Sequence, residues 1–208
     1  GDTVTLPVTI SSTNYGDATV NVKITLTDKE TPTANANNIN VTYNGADVSA
    51  SAITGTASVE GTWSWKTTAP KNVSDSGSHT VVFTPNDAST YESVEDTITV
   101  TINKATPTGE PKYTKITTSG KTLADAGLTV TGSTLNPNAG TLKWVDDAGT
   151  VLPDTTTVAA NTSYKWLYTP ADTANYNTLT GSIELYHKSS GGGGGGGGSS
   201  GFFPFPSY

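Results

Sequence analysis

Val22, Ile24 and Leu26 stand at alternate positions, with polar residues between them. The same alternation returns at Ile98, Val100 and Ile102, and again at Ile183, Leu185 and His187. A period of two places those side chains on one face of an extended strand. Each set begins seven residues after a tyrosine, at Tyr15, Tyr91 and Tyr176, so the three stretches align without gaps. Upstream, Phe83–Asp87 (FTPND) matches Tyr168–Asp172 (YTPAD), and Gly61–Trp65 (GTWSW) matches Gly140–Trp144 (GTLKW). Thr54-Gly55 and Thr131-Gly132 extend the match further. No comparable stretch has apolar residues at helical spacing; the longest candidate, Leu123–Leu128, is too short to stand alone. The pattern predicts an all-β chain built from a repeated unit.

The Tyr-to-Tyr spacings of 76 and 85 residues suit a small β-sandwich of about seven strands. The matching KETPT (Lys29–Thr33) and KATPT (Lys104–Thr108) mark the boundaries, because proline stiffens the chain and keeps the residue before it extended. Residues 32–106 and 107–190 therefore read as complete sandwich units. Residues 1–31 read as the last two strands of a preceding unit, with Val4–Ile10 and Val20–Leu26 presenting an apolar face that has no sandwich of its own to cover it. That face must pack on the next unit, pair with another molecule or stay exposed. Residues 191–208 read as a linker, Gly191–Gly198, followed by an aromatic tail with Phe202, Phe203 and Phe205.

Composition narrows the chemistry. The chain contains about 40 Thr, 22 Gly and 11 Pro, and has no Cys, Met, Arg or Gln. Without Cys there is no disulfide, thiolate metal site or cysteine nucleophile. Without Arg there is no bidentate guanidinium recognition of phosphate. A net charge of −7 is the wrong sign for a nucleic-acid binder or an anionic membrane surface. No apolar run approaches the ~18 residues of a membrane span. A chain beginning Gly-Asp-Thr reads as an excised fragment, and the acidic, Thr-rich composition favours the outside of a cell.

Candidate chemistry is sparse. Trp63 and Trp65 share a strand face, Trp65 aligns with Trp144, and Tyr164, Trp166 and Tyr168 align with His79, Val81 and Phe83. This parity points all four Trp inward. The expected structural core is Trp65, Phe83, Tyr91 and Val100 in one unit, and Trp144, Tyr168, Tyr176 and Leu185 in the other. The alternative is a stacking platform for sugar rings, with Trp63 or Trp166 as the exceptions. Asp87/Tyr91 and Asp172/Tyr176 recur at one spacing. They read as turn-capping carboxylates with a ring closing the sandwich end, against the alternative of a calcium ligand. Asp146 and Asp147 sit in a turn inside the longer stretch Asp146–Thr157, the place to look for a ligand contact. With two His and no Cys, neither a zinc site nor a Ser-His-Asp triad is supported. No catalytic residue, metal or cofactor is expected. A Thr–Gln ester cross-link is impossible without Gln, whereas a Lys–Asn amide link stays open.

The strand followed by KxTPT, the TPxDxxxY loop and the Gly-Thr-x-x-Trp strand together resemble the immunoglobulin-like repeats of bacterial cell-surface proteins, over about residues 1–190. The resemblance implies tandem immunoglobulin-like β-sandwich domains in a secreted or wall-attached chain of Gram-positive type, with neighbouring repeats as partners. Attachment, commonly through an S-layer-homology region, is implied by resemblance alone. The chain departs from antibody-type domains in lacking the paired Cys. The expected function is a non-catalytic spacer, or stalk. The alternative is an adhesin module binding host matrix protein or glycan. Neither a nucleic-acid partner nor membrane insertion is expected.

Overall fold

The computed structural model describes residues 1–189; the linker and aromatic tail expected at 191–208 lie outside them. The described residues are all-β, with several sheets and three short 3-10 turns among them. Their arrangement is consistent with β-sandwich packing. The described residues divide into two compact units, Gly1–Thr106 with Asp172–Asn177, and Pro107–Ala171 with residues 178–189.

The first unit opens with a hairpin of β1 (Thr3–Ile10) and β2 (Ala18–Thr25), paired only with each other. The body follows as β3 (Ala34–Ala36), β4 (Ile39–Thr42), β5 (Gly55–Ala57), β6 (Gly61–Trp65), β7 (Gly77–Pro85) and β8 (Val94–Asn103). β3 pairs with β5, and a four-stranded sheet runs β4-β8-β7-β6, with β4 and β8 parallel. Its core is Ile39, Ile53, Val81, Ile98, Val100 and Ile102. Along β8 the buried positions are Ile98, Val100 and Ile102, which is the predicted period of two, with Thr and Asn turned to water.

In the second unit, β9 (Gly140–Val145), β10 (Ser163–Pro170) and β11 (Leu179–Glu184) form a sheet ordered β11-β10-β9. Tyr164, Trp166, Tyr168 and Pro170 alternate inward along β10. The remaining layer consists of irregular chain held by isolated bridges such as Lys112↔Thr129 and Thr108↔Asn136. The spacing predicts about seven strands per unit; this layer has fewer because Pro107, Pro111 and Pro137 lack the ladder donor and the intervening glycines turn the chain. Leu123–Ala126 is a 3-10 turn started by Thr122, whose N–H donates to Asp125 Oδ2 at 2.8 Å, and stopped by Gly127 at φ 56°. Leu123 and Ala126 drop into the core from it.

The paired motifs meet across strands. A Cβ on Gly61 would lie 2.5 Å from the Phe83 ring, and one on Gly140 would lie 2.6 Å from the Tyr168 ring. The glycine of each Gly-Thr-x-x-Trp strand is thus the floor on which the aromatic residue of the neighbouring Phe/Tyr-Thr-Pro strand lies. Any side chain there would displace a buried ring.

Candidate functional site

The Asp–x–x–x–Tyr segments fold as the same tight loop. The Tyr91 N–H donates to the Asp87 carbonyl and the Tyr176 N–H to the Asp172 carbonyl, each at 3.1 Å. The Asp87 carboxylate accepts from the Ser89 hydroxyl and from the backbone N–H groups of Ser89 (3.1 Å) and Thr90 (3.2 Å). Hydrogen bonds from Ser89 and Thr90, that of the Ser89 hydroxyl foremost, hold its pKa at about 2. In the second loop Asp172 accepts from the Asn175 backbone N–H at 3.2 Å and the Asn175 side-chain amide at 2.9 Å. Both carboxylates are engaged as turn caps.

Because the folded pKa of Asp87 is depressed, the cap stabilises the loop above the ordinary Asp range near 3.8 and is lost as pH falls through about 2. Following the Asp87 side-chain carboxyl by NMR, we expect a midpoint near 2 that rises in Ser89→Ala. A midpoint at the ordinary value would mean that the loop is open.

Each loop also grips a Lys-x-Thr-Pro segment. The Glu30 N–H donates to the Thr90 carbonyl at 2.8 Å, and the Glu92 N–H donates to the Glu30 carbonyl at 2.9 Å. Ala105 repeats the pattern with Asn175 and Asn177, at 2.9 and 2.8 Å, within the first unit as divided above. Two motifs found separately in the sequence are therefore two sides of one backbone contact. Asn175 has a role that the sequence did not signal. Buried in the first unit, it accepts from the Val73 N–H at 2.9 Å and donates to Asn72 at 3.3 Å. Tyr176 is half-buried there, edge-on to Tyr43 at 5.4 Å, and Tyr91 is also half-buried.

The tryptophans divide. Trp144 and Trp166 are buried with Tyr168 and Leu185 in the second core. The platform reading of Trp166 is therefore corrected: β10 turns its indole inward, where it is 4% exposed. Trp65 is half-buried rather than fully enclosed, its Nε1 donating to the Val48 carbonyl at 2.8 Å. Phe83 and Val100 are buried. Trp63 is half-buried, 5.2 Å from Phe83, and lines an open groove of about 540 Å³ with Thr54, Val59, Glu60 and Asn86. Tyr168 donates its hydroxyl to the Pro137 and Ala139 carbonyls (2.7 and 2.9 Å), and burial pushes its pKa up.

Asp146 and Asp147 form a turn in which the Thr150 N–H donates to Asp146 Oδ1 at 2.8 Å and Gly149 takes φ 84°. Beside it, Val151–Asp154 and the Leu123–Leu128 segment enclose a cleft of about 450 Å³ along β9, with Leu142, Lys143 and Trp144 in its wall. Asp146 and Asp147 do not line this cleft. His79 bonds the Asp75 carbonyl at 2.7 Å, and exposed His187 bonds Glu184 at 2.7 Å. Among the described residues no three His, Cys, Asp or Glu side chains gather as metal ligands, and no helix is long and apolar enough to cross a membrane. Ten of the eleven Lys are exposed and Lys165 is half-buried. A scan against protein-family models finds no match, and a search of curated proteins finds none.

Proposed function

We propose that the chain is a tandem pair of immunoglobulin-like β-sandwich units serving as a non-catalytic spacer in a secreted or wall-attached bacterial surface protein. The observation that carries this reading is the paired backbone contact at Glu30 and Ala105. Each boundary segment, which a flexible linker would leave free, is fixed by two main-chain hydrogen bonds just before its Thr-Pro. A spacer works by holding an extended path, and backbone bonds together with a restricted proline do so with little conformational entropy left to lose on loading.

Ala105→Pro removes the N–H that donates to Asn175 and tests the reading directly. The chain has no Cys, so two introduced ones, both within the first unit, one on β8 and one in the Asp172–Asn177 loop, take spin labels cleanly. We expect a narrow distance distribution in the parent and a broad one in Ala105→Pro. A distribution equally broad in both sinks the spacer. The cleft beside Val151 favours a second reading, an adhesin that takes host matrix protein or glycan. Saturable binding of such a ligand, abolished by Val151→Asp, would select it.

A further inference from the structure

The hairpin of β1 and β2 is strictly two-faced. Leu6 lies opposite Val22, Val8 opposite Val20, and Ile10 opposite Ala18, while Thr5, Lys23, Thr9 and Thr19 take the other face. Yet the large apolar residues of the first face are 41–59% exposed. No charged side chain interrupts it.

Equivalent faces elsewhere in the chain are covered. Seven residues after each tyrosine stand Val22, Ile98 and Ile183, and their cross-strand partners are Leu6, His79 and Tyr164. One step along, the pairs are Val8/Val20, Val81/Asp96 and Trp166/Gly181. Val81 and Ile98 are buried because chain that precedes their hairpin closes over them: Ile39 and Ile53 enter the same core, with Trp65 against it. The same preceding chain supplies both edges, since β6 pairs along β7 and β4 along β8.

The edges of β1 and β2 are ready for such neighbours. The Leu26 N–H donates to the Asp2 carbonyl, so by the antiparallel alternation the even-numbered residues bond inward. Asn21, Lys23 and Thr25 then turn their N–H and C=O groups out of the free edge. Pro7, which breaks the donor row on the other edge, aligns with Thr80, whose carbonyl accepts from the Lys66 N–H at 3.1 Å. Proline keeps that carbonyl.

We propose that this face and its two edges are the docking surface for a half-unit built like residues 34–73, carried by the same polypeptide ahead of Gly1. The proposal rests on the tandem immunoglobulin-like reading, though not on the spacer role. A second copy packed face to face would cover the apolar side chains and leave every outward backbone group unpaired, whereas a half-unit satisfies both.

The test is hydrogen exchange on the 208-residue chain and on the natural chain lengthened upstream by one repeat of 76 residues, the Tyr15-to-Tyr91 spacing. In the longer chain the Asn21 and Lys23 amides should slow by about 100-fold or more. Val22→Lys should abolish that slowing while leaving the unfolding of the 208-residue chain unchanged. Unchanged exchange in the longer chain overturns the proposal, as does a reading frame that encodes no such strands upstream. So does a dimer of the 208-residue chain, seen by sedimentation, that already slows these amides and dissociates in Val22→Lys. Spin-label distances read the Ala105 contact separately, so loss of the spacer reading would leave these results standing.

Discussion

Trp144→Ala should destabilise the second unit by about 3–5 kcal/mol, the range for removing a buried tryptophan. The indole is 3% exposed on β9, edge-on to Tyr164 at 6.4 Å, in a core shared with Leu123, Ala126 and Leu185. That core lies between one three-stranded sheet and a layer of irregular chain held by single bridges. Such a layer has little ladder of its own, so its position depends on the side chains it covers. The chain has no disulfide to limit the loss, because it has no Cys. Exchange of β10 amides in rising denaturant reads the effect on the second unit, with β8 amides as the internal comparison. A loss under about 1 kcal/mol would mean that the indole is not enclosed. Trp65, half-buried at the aligned position and bonded to Val48, should cost less when cut to alanine.

That contrast shows how far the sequence could be read. Parity along a strand is a local property, so the alternation of β8 and β10 and the match of His79, Val81 and Phe83 to Tyr164, Trp166 and Tyr168 are legible from spacing alone. How completely a ring is enclosed depends on what lies over it. The Leu123–Ala126 turn reaches Trp144 from about twenty residues upstream, and the short apolar spacing that marks this segment does not say which ring it covers. Asn175 is further out of reach, since its bonds to Asn72 and Val73 join positions about a hundred residues apart. Asp87 and Asp172 were legible as caps, because an Asx turn is satisfied by the next three residues. The grip of each Tyr loop on a Lys-x-Thr-Pro segment was not, although both motifs were visible, because pairing between two segments leaves no trace in either one.

Gly181→Val should destabilise the second unit by about 1–3 kcal/mol through overpacking, and Trp166→Val in the same chain should return much of that loss. Gly181 is the cross-strand partner of Trp166, and a Cβ added there would fall inside contact distance of the indole ring. The aromatic ring lies across the glycine and fills the space that a partner side chain takes in an ordinary pair. The aligned pairs fill that space differently, with Val8 and Val20 in the hairpin and Val81 and Asp96 in the first unit, where Asp96 accepts from the Ala36 N–H at 2.7 Å. Trp166→Val alone should be costly, since it opens a cavity over a bare glycine, so both single variants lose stability for opposite reasons of volume. The double variant recreates the valine pair already present between Val8 and Val20. A coupling of about 1–3 kcal/mol in the double-mutant cycle would show that the two positions share one packing volume. Additive losses would show that the glycine serves strand geometry instead, and that Trp166 is held by the rest of the core.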